Sequence, residues 1–305
     1  MAYDVVIIGI GPAGLTAGIY AKRACLNAII LYSPYEVGSQ ICNTYEVCNY
    51  PGFNNLSGQE LYDKLKEHAQ ELNVEIKGEK VLDIIDANSS IKKVKTKNAE
   101  YETKTIILAT GGKPKKGGFE REEEFIGNGV SFCATCDGAF FRNKKVAVIG
   151  GGDTAVEDAI FLSRMAEKVY LIVRGTELRA TKVLQEEVKN AKNVEIRFET
   201  LVSGVEGKEQ IENIVVKNKN DDSISHIAVD GVFVGIGMDP ESILIKNIVE
   251  MDGDYVKADE NCETSVEGIF AAGDVRKKQL RQVITACADG ANAITSVQRY
   301  LTKIK

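Results

Sequence analysis

Cys133-Ala134-Thr135-Cys136-Asp137 carries the most chemistry of any stretch in this sequence. Two thiols separated by two residues can close a small disulfide ring and open it again. The thiolate is the reactive form, so whatever sets the cysteine pKa sets the rate. Asp137 does not serve to activate its neighbour, because a carboxylate disfavours an adjacent thiolate. It suits proton delivery when a dithiol is released, which is general-acid work. Two other readings compete. The pair is half of a zinc site, or it is an inert buried couple. Structural zinc takes four ligands, whereas Cys25, Cys42, Cys48, Cys262 and Cys287 are scattered and only His68 and His226 are present. No metal is therefore expected. Neither alternative explains why the pair lies about ten residues ahead of a strand that opens a glycine turn.

Two glycine turns have the context that gives such turns meaning. The run Tyr3–Ile8 is continuously apolar, as in a buried parallel strand. Gly9-Ile10-Gly11-Pro12-Ala13-Gly14 follows, then a helical stretch to Arg23 and a second apolar run over 28–32. This is a βαβ unit of the dinucleotide-binding kind: the glycines let the backbone turn tightly and approach a pyrophosphate, and the helix N-terminus faces it. The pattern recurs with a strand over Lys145–Ile149, the turn Gly150-Gly151-Gly152-Asp153-Thr154-Ala155, a helix to Arg164 and a strand over 168–173. Between the two units, Ser57 and Glu60 form a capping box for a helix from Gly58 to Leu72, with Leu61, Leu65, His68 and Leu72 on one face. A last helix is predicted from Gln282 to Leu301.

The expected fold is α/β, with two Rossmann-like, three-layer ββα nucleotide-binding domains, the second inserted in the first. Flexible breaks at Ala109-Thr110-Gly111-Gly112 and Gly235-Ile236-Gly237 set the boundaries. Residues 1–111 and 240–305 form one domain, and 112–239 form the inserted domain with the CxxC. Composition limits the partners. Lys plus Arg is 38 and Asp plus Glu 44, a net charge of −6, which argues against nucleic-acid binding. No apolar run approaches membrane-helix length, and the N-terminal run lacks the basic flank of a signal peptide. An odd number of scattered cysteines is no secreted disulfide framework. A cytoplasmic protein is expected.

The segment Cys133-Ala134-Thr135-Cys136-Asp137-Gly138, followed by Ala139-Phe140-Phe141 and the second glycine turn, resembles the low-molecular-weight thioredoxin reductases. The resemblance runs nearly the full length. It takes in Gly9-Ile10-Gly11-Pro12-Ala13-Gly14, Gly38-Ser39-Gln40, Asn49-Tyr50-Pro51-Gly52, Ala109-Thr110-Gly111, Gly273-Asp274 and Arg281-Gln282. It implies an FAD-dependent thioredoxin-disulfide reductase, a homodimer in this family. Gly9, Gly11, Pro12, Ala13 and Gly14 would cradle the FAD pyrophosphate, and Asp274 beside Gly273 would bond its ribityl chain. Gln40, Asn49, Ala109, Gly111, Arg281 and Gln282 would complete that site. Cys136 would lie against the flavin, Cys133 would attack the partner disulfide and Asp137 would handle the proton. A dithiol oxidase on the same scaffold and a non-catalytic nucleotide or redox sensor are the rival functions.

The electron donor is where the sequence departs from its relatives. NADPH-dependent members follow the inserted domain's second strand with a His-Arg-Arg-x-x-x-Arg pattern that grips the 2′-phosphate. Here the matching positions are Val173, Arg174, Gly175 and Arg179, with Glu177 between them. Gly150, Gly152, Asp153, Thr154 and Ala155 keep the glycine turn, and Arg174 and Arg179 remain to hold a phosphate. The donor is therefore NADPH, NADH or reduced ferredoxin. A ferredoxin is acidic and needs a basic landing patch, for which Arg276, Lys277, Lys278, Arg281, Lys113, Lys115 and Lys116 are the candidates. Cys42 and Cys48 read as buried thiols, and Cys25, Cys262 and Cys287 as small core or helix residues. His68 reads as a packing residue, the run over 120–124 as a solvated face, and Phe140-Phe141 as core.

Overall fold

Val5, Val6 and Ile7 are fully buried and Ile8 nearly so, which explains the unbroken apolar run of β1 (Tyr3–Ile8). Val5 and Ile7 pack on one face of the sheet, Val6 and Ile8 on the other, so both faces need apolar side chains. The structure is a computed structural model that describes residues 2–34, 39–44, 47, 49–53 and 56–304. Gly38 and Cys48 lie outside the described residues. The chain divides into two compact units, one made of Met1–Lys113 with Asp239–Lys305, the other of Pro114–Met238.

In the first unit, β1 leads into α1 (Pro12–Arg23) and β2 (Ala28–Leu31). Next come α2 (Gly58–Glu71), β3 (Glu75–Lys77), β4 (Val81–Ile85), β5 (Lys92–Thr96) and β6 (Glu100–Leu108). The outgoing strand β7 (Gly112–Pro114) precedes the second unit. That unit holds β8 (Val130–Ser131), the one-turn helix α3 (Ala134–Asp137), β9 (Lys145–Ile149), α4 (Asp153–Ser163) and β10 (Lys168–Ile172). It continues through α5 (Lys182–Asn190), β11 (Val194–Arg197), β12 (Thr200–Gly207), β13 (Ile211–Asn218), β14 (Ile224–Ala228) and β15 (Gly231–Val234). The returning strand β16 (Met238–Pro240) pairs with β7. The hairpin β17 (Met251–Asp252) and β18 (Tyr255–Val256), β19 (Ile269–Ala271) and α6 (Val283–Lys303) complete the first unit.

The first unit's sheet runs β3-β2-β1-β6, all parallel, and β6 then has two neighbours on its far side. The returning β19 pairs parallel with its end at Ile106–Leu108, and β5 pairs antiparallel with its beginning. The last segment of the chain thus completes the sheet begun by the first. The second unit carries an all-parallel sheet β11-β10-β9-β15-β8 with α4 on one face and the antiparallel β12-β13-β14 layer on the other. Both units are Rossmann-like α/β layers.

Several single-residue expectations need correction. His68 is exposed and Ala69 is buried in its place: one residue is a 100° rotation on a helix, enough to turn a side chain out of the stripe. Cys25 is exposed and ends α1 in the left-handed region, whereas Cys262 and Cys287 are buried. Glu122 is no part of a solvated face. Its carboxylate is buried and accepts the N–H groups of Gly117 and Gly118, both at 2.7 Å. Phe141 packs edge-on against Phe233 with centroids 5.2 Å apart, but Phe140 is 37% exposed.

Candidate active site

The first glycine turn is shaped by backbone contacts. Gly9 has φ +118°, and a Cβ there would lie 2.2 Å from the Ala109 carbonyl oxygen. A Cβ on Gly14 would lie 2.0 Å from the Gly9 carbonyl oxygen. The turn therefore closes against α1 and against the end of β6 at once. Pro12 occupies the first turn of α1, and Gly11 offers no side-chain cap. The turn leaves free N–H groups at the helix start, where an anion fits.

The other residues expected to hold FAD gather in the same unit. Gln40 donates to Asp274 Oδ2 at 3.1 Å, and Asn49 donates to Gln282 Oε1 at 3.0 Å. The Arg281 guanidinium lies over the Tyr255 ring at 4.3 Å. Burial pushes the Asp274 carboxyl above its usual pKa, opposed by Lys278 and Arg281. Ser33 Oγ just beyond β2, Asp274 Oδ1 and Arg281 Nε are buried without a hydrogen-bond partner among the described residues. Orphaned polar atoms of this kind call for a partner. Their positions, past β2 and in the Gly-Asp and Arg-Gln motifs, are where a bound dinucleotide with hydroxyls and a polar ring fits.

A buried ion cluster holds this loop, and the sequence reading assigned two of its members elsewhere. Asp289 of α6 accepts the Gly273 N–H at 2.9 Å, Arg276 Nε at 2.8 Å, Arg276 Nη2 at 2.9 Å and Lys278 Nζ at 2.9 Å. All three side chains are buried. The two cations hold the Asp289 carboxyl below its usual pKa despite its burial. Arg276 and Lys278 are therefore internal ties and not a landing surface. Lys277 pairs with Asp252 at 3.7 Å, Lys113 with Glu241 at 2.7 Å, and Lys116 with Glu123. Five of the seven cations considered for a ferredoxin landing surface are thus paired with acids within their own unit.

In the second unit Cys133 and Cys136 form a disulfide with Cα atoms 5.3 Å apart. Cys133 sits at the start of α3, where its Sγ accepts the Cys136 N–H at 3.2 Å. Ser131, at the end of β8, donates to Asp137 Oδ2 at 2.6 Å and accepts the Cys133 N–H at 3.1 Å. Asp137 Oδ1 is buried without a partner among the described residues. Burial raises the Asp137 pKa and the Ser131 hydrogen bond opposes it. Sequence reasoning missed Ser131; its only signal is a position two residues ahead of the first cysteine.

The second glycine turn is also closed by backbone. Gly150 has φ +142°, and a Cβ there would lie 2.6 Å from the Gly235 carbonyl oxygen and 2.7 Å from Ala155 Cβ. Gly152 faces open space. The loop after β10 is tied to this turn: Arg179 and Ala180 donate backbone N–H groups to the Gly151 carbonyl oxygen at 2.7 and 3.2 Å. Asp153 Oδ1 accepts the Thr181 N–H at 2.7 Å. Arg174 and Arg179 are exposed, and neither has an ion-pair partner among the described residues.

Residues 3–290 match the pyridine nucleotide-disulphide oxidoreductase family. The thioredoxin reductase of Peptoclostridium litorale is 41% identical over 310 residues, covering 99% of this chain and 98% of that protein. The solved thioredoxin reductase of Streptococcus pyogenes MGAS5005 is 40% identical with a TM-score of 0.93, covering 99% of both chains. A ferredoxin-flavin thioredoxin reductase from Clostridium acetobutylicum is 29% identical with a TM-score of 0.53, again over 99% of both chains.

Proposed function

This chain belongs to the pyridine nucleotide-disulphide oxidoreductase family, and we propose on that basis that it is an FAD-dependent thioredoxin-disulfide reductase. The observation that carries the reading is a closed Cys133–Cys136 disulfide beside a partly buried acid, Asp137, in a unit that keeps its own nucleotide turn. Full-length similarity to thioredoxin reductases supports it. Gly9, Gly11 and Gly14 would hold the FAD pyrophosphate, with Pro12 and Ala13 opening the helix behind it. Asp274 with Gln40, and Arg281 with Gln282 and Asn49, would hold the remainder, next to Ala109, Gly111 and Gly273. Bound FAD supplies the carrier that moves electron pairs between a donor and the CxxC.

In the exchange, the reduced Cys133 attacks one sulfur of the thioredoxin disulfide as a thiolate. A mixed disulfide forms and the other thioredoxin sulfur leaves. Protonated Asp137 gives that leaving sulfur its proton. The resulting carboxylate takes the Cys136 proton as Cys136 attacks Cys133. The Cys133–Cys136 disulfide forms, and the second thioredoxin thiolate leaves and is protonated from water. Thioredoxin gains two electrons and two protons; the dithiol loses two electrons and the Cys136 proton, and the proton taken from water balances the one Cys133 had already released to solvent as its thiolate formed.

NADPH is the donor in this reading. Arg174 and Arg179 are exposed cations with no ion-pair partner among the described residues, on a loop tied to the Gly150 turn, and charge-assisted bonds from two arginines suit a 2′-phosphate. A specific fact favours the second reading, ferredoxin: the histidine and one arginine of the phosphate grip are replaced by Val173 and Gly175. Among the described residues no helix is long and apolar enough to cross a membrane; we place the enzyme in the cytoplasm as a homodimer, which sedimentation of the holoenzyme tests. The test of function mixes oxidised holoenzyme anaerobically with NADPH, NADH or reduced ferredoxin, follows flavin bleaching, and then adds thioredoxin. Bleaching by NADPH and turnover with thioredoxin are expected. Cys133→Ser keeps the bleaching and loses the turnover. A flavin-free protein, or oxygen uptake with a small dithiol and no thioredoxin turnover, refutes the assignment.

A further inference from the structure

We propose that Ser131 is the positioning residue of the disulfide exchange: its hydroxyl fixes which oxygen of Asp137 carries the proton and ties that acid to the Cys133 backbone. The inference rests on the roles given above to Cys133, Cys136 and Asp137. A hydroxyl has one proton and two acceptor lone pairs. The Cys133 N–H fills one lone pair at 3.1 Å. The proton has two acceptors in reach, Asp137 Oδ2 at 2.6 Å and the Cys133 carbonyl oxygen at 3.4 Å. The shorter contact to the carboxyl wins. Oδ2 is then an acceptor, so a neutral Asp137 carries its proton on Oδ1. Oδ1 is the buried oxygen with no partner among the described residues. The transferable proton thus sits on the Asp137 oxygen that has no partner among the described residues, and in this proposal the leaving thiolate of the exchange is its acceptor.

Ser131 also sets when the acid is charged. Two influences act on Asp137: burial raises its pKa and the Ser131 hydrogen bond lowers it. The other ionisable groups on the neighbouring elements are Asp153, Glu157 and Asp158 of α4, Arg142 and Lys144 after the Gly138–Phe141 turn, and Asp230 and Lys145 beside β15 and β9. None of them contributes a resolved shift to Asp137. The thiols of Cys133 and Cys136 join this set once the disulfide is reduced.

The experiment measures kcat/KM for thioredoxin across pH in the holoenzyme and in Ser131→Ala, Ser131→Thr and Asp137→Asn. Ser131→Ala is expected to move the alkaline limb up by about one pH unit, the size of one lost charge-assisted hydrogen bond. Its plateau is expected to fall about tenfold from lost orientation. Ser131→Thr restores both, and Asp137→Asn removes the limb. A limb that stays in place in Ser131→Ala but vanishes in Asp137→Asn overturns the positioning role and leaves the reductase reading intact. A limb unchanged in Asp137→Asn overturns the acid role itself. Infrared difference spectra of the reduced wild-type protein against Asp137→Asn give a reading that needs no Ser131 variant. The proposal requires a protonated Asp137 carbonyl band lowered by hydrogen bonding, and a free-carbonyl band refutes it.

Discussion

Asp158 provides a measurement of what a lone carboxylate costs this fold. It lies in the second turn of α4, partly buried, with no hydrogen-bond or ion-pair partner among the described residues. Burial, and then the neighbouring Glu157, push its pKa from 3.8 to about 7. The folded state prefers the neutral form, so the stability Asp158 allows is fully present below pH 3.8 and is lost as pH rises through about 7. Raising this carboxyl from 3.8 to about 7 corresponds to about 4 kcal/mol once the group is ionised. Asp158→Asn removes the titration while keeping nearly the same shape and a similar unpaired polar surface. The variant should gain about 4 kcal/mol over wild type at pH 8 and about 2 at pH 5, with almost no gain below pH 3. Urea unfolding of both holoproteins at matched pH values reads this directly, with the change taken from the midpoint at constant slope. Parallel stability-versus-pH curves for the two proteins would show that Asp158 is solvated or partnered, and the electrostatic reasoning would be refuted.

Three further outcomes follow from the described contacts. Asp289→Ala leaves Arg276 and Lys278 buried without their carboxylate and should destabilise the first unit by about 3–5 kcal/mol, seen as an earlier thermal transition and faster flavin release. Because the Asp289 pKa is held low, its contribution is present at neutral pH and disappears as pH falls through its folded pKa, so wild type and variant should converge in acid. Gly14→Ala drives a methyl into the Gly9 carbonyl oxygen and should yield protein with little bound flavin, measured as the absorbance ratio of flavin to protein. Arg174→Ala and Arg179→Ala should each raise KM for NADPH about tenfold or more and leave KM for NADH unchanged; equal effects on both nucleotides would remove the 2′-phosphate role.

Local signals were legible in the sequence and distant ones were not. Tyr3–Ile8 and Lys145–Ile149 announce buried strands because both faces are covered, and Ser57 with Glu60 announces α2 because the cap closes within one turn. The bonds made by Arg276 are different. Its residue type fits a solvated surface, and only the path of α6 brings Asp289 to it. The same holds for Glu122, an acid within an acidic run whose partners are backbone N–H groups that composition cannot reveal. Ser131 was illegible because a serine two residues from a cysteine has no pattern of its own until β8 and α3 fix the angle between them.

Charge bookkeeping separates the two donor readings better than motif matching does. A protein of net charge −6 repels an acidic donor unless cations are gathered and free. Three of the cations in sequence reach of the Gly273-Asp274 motif are committed to acids, Arg276 and Lys278 to Asp289 and Lys277 to Asp252, while Arg281 lies over the Tyr255 ring. Taking Arg276 or Lys278 from Asp289 to receive a partner would leave a buried carboxylate short of its cation, a penalty larger than a surface ion pair returns, whereas the Lys277–Asp252 pair is exposed. Arg174 and Arg179 face no such conflict. They are exposed, and the Gly151 carbonyl oxygen holds their loop beside the turn where a nucleotide phosphate would lie. Among the described residues Arg174 and Arg179 thus offer positive charge without an ion-pair partner beside the second glycine turn, which supports the NADPH reading even though Val173 and Gly175 stand where a histidine and an arginine of the phosphate grip would be.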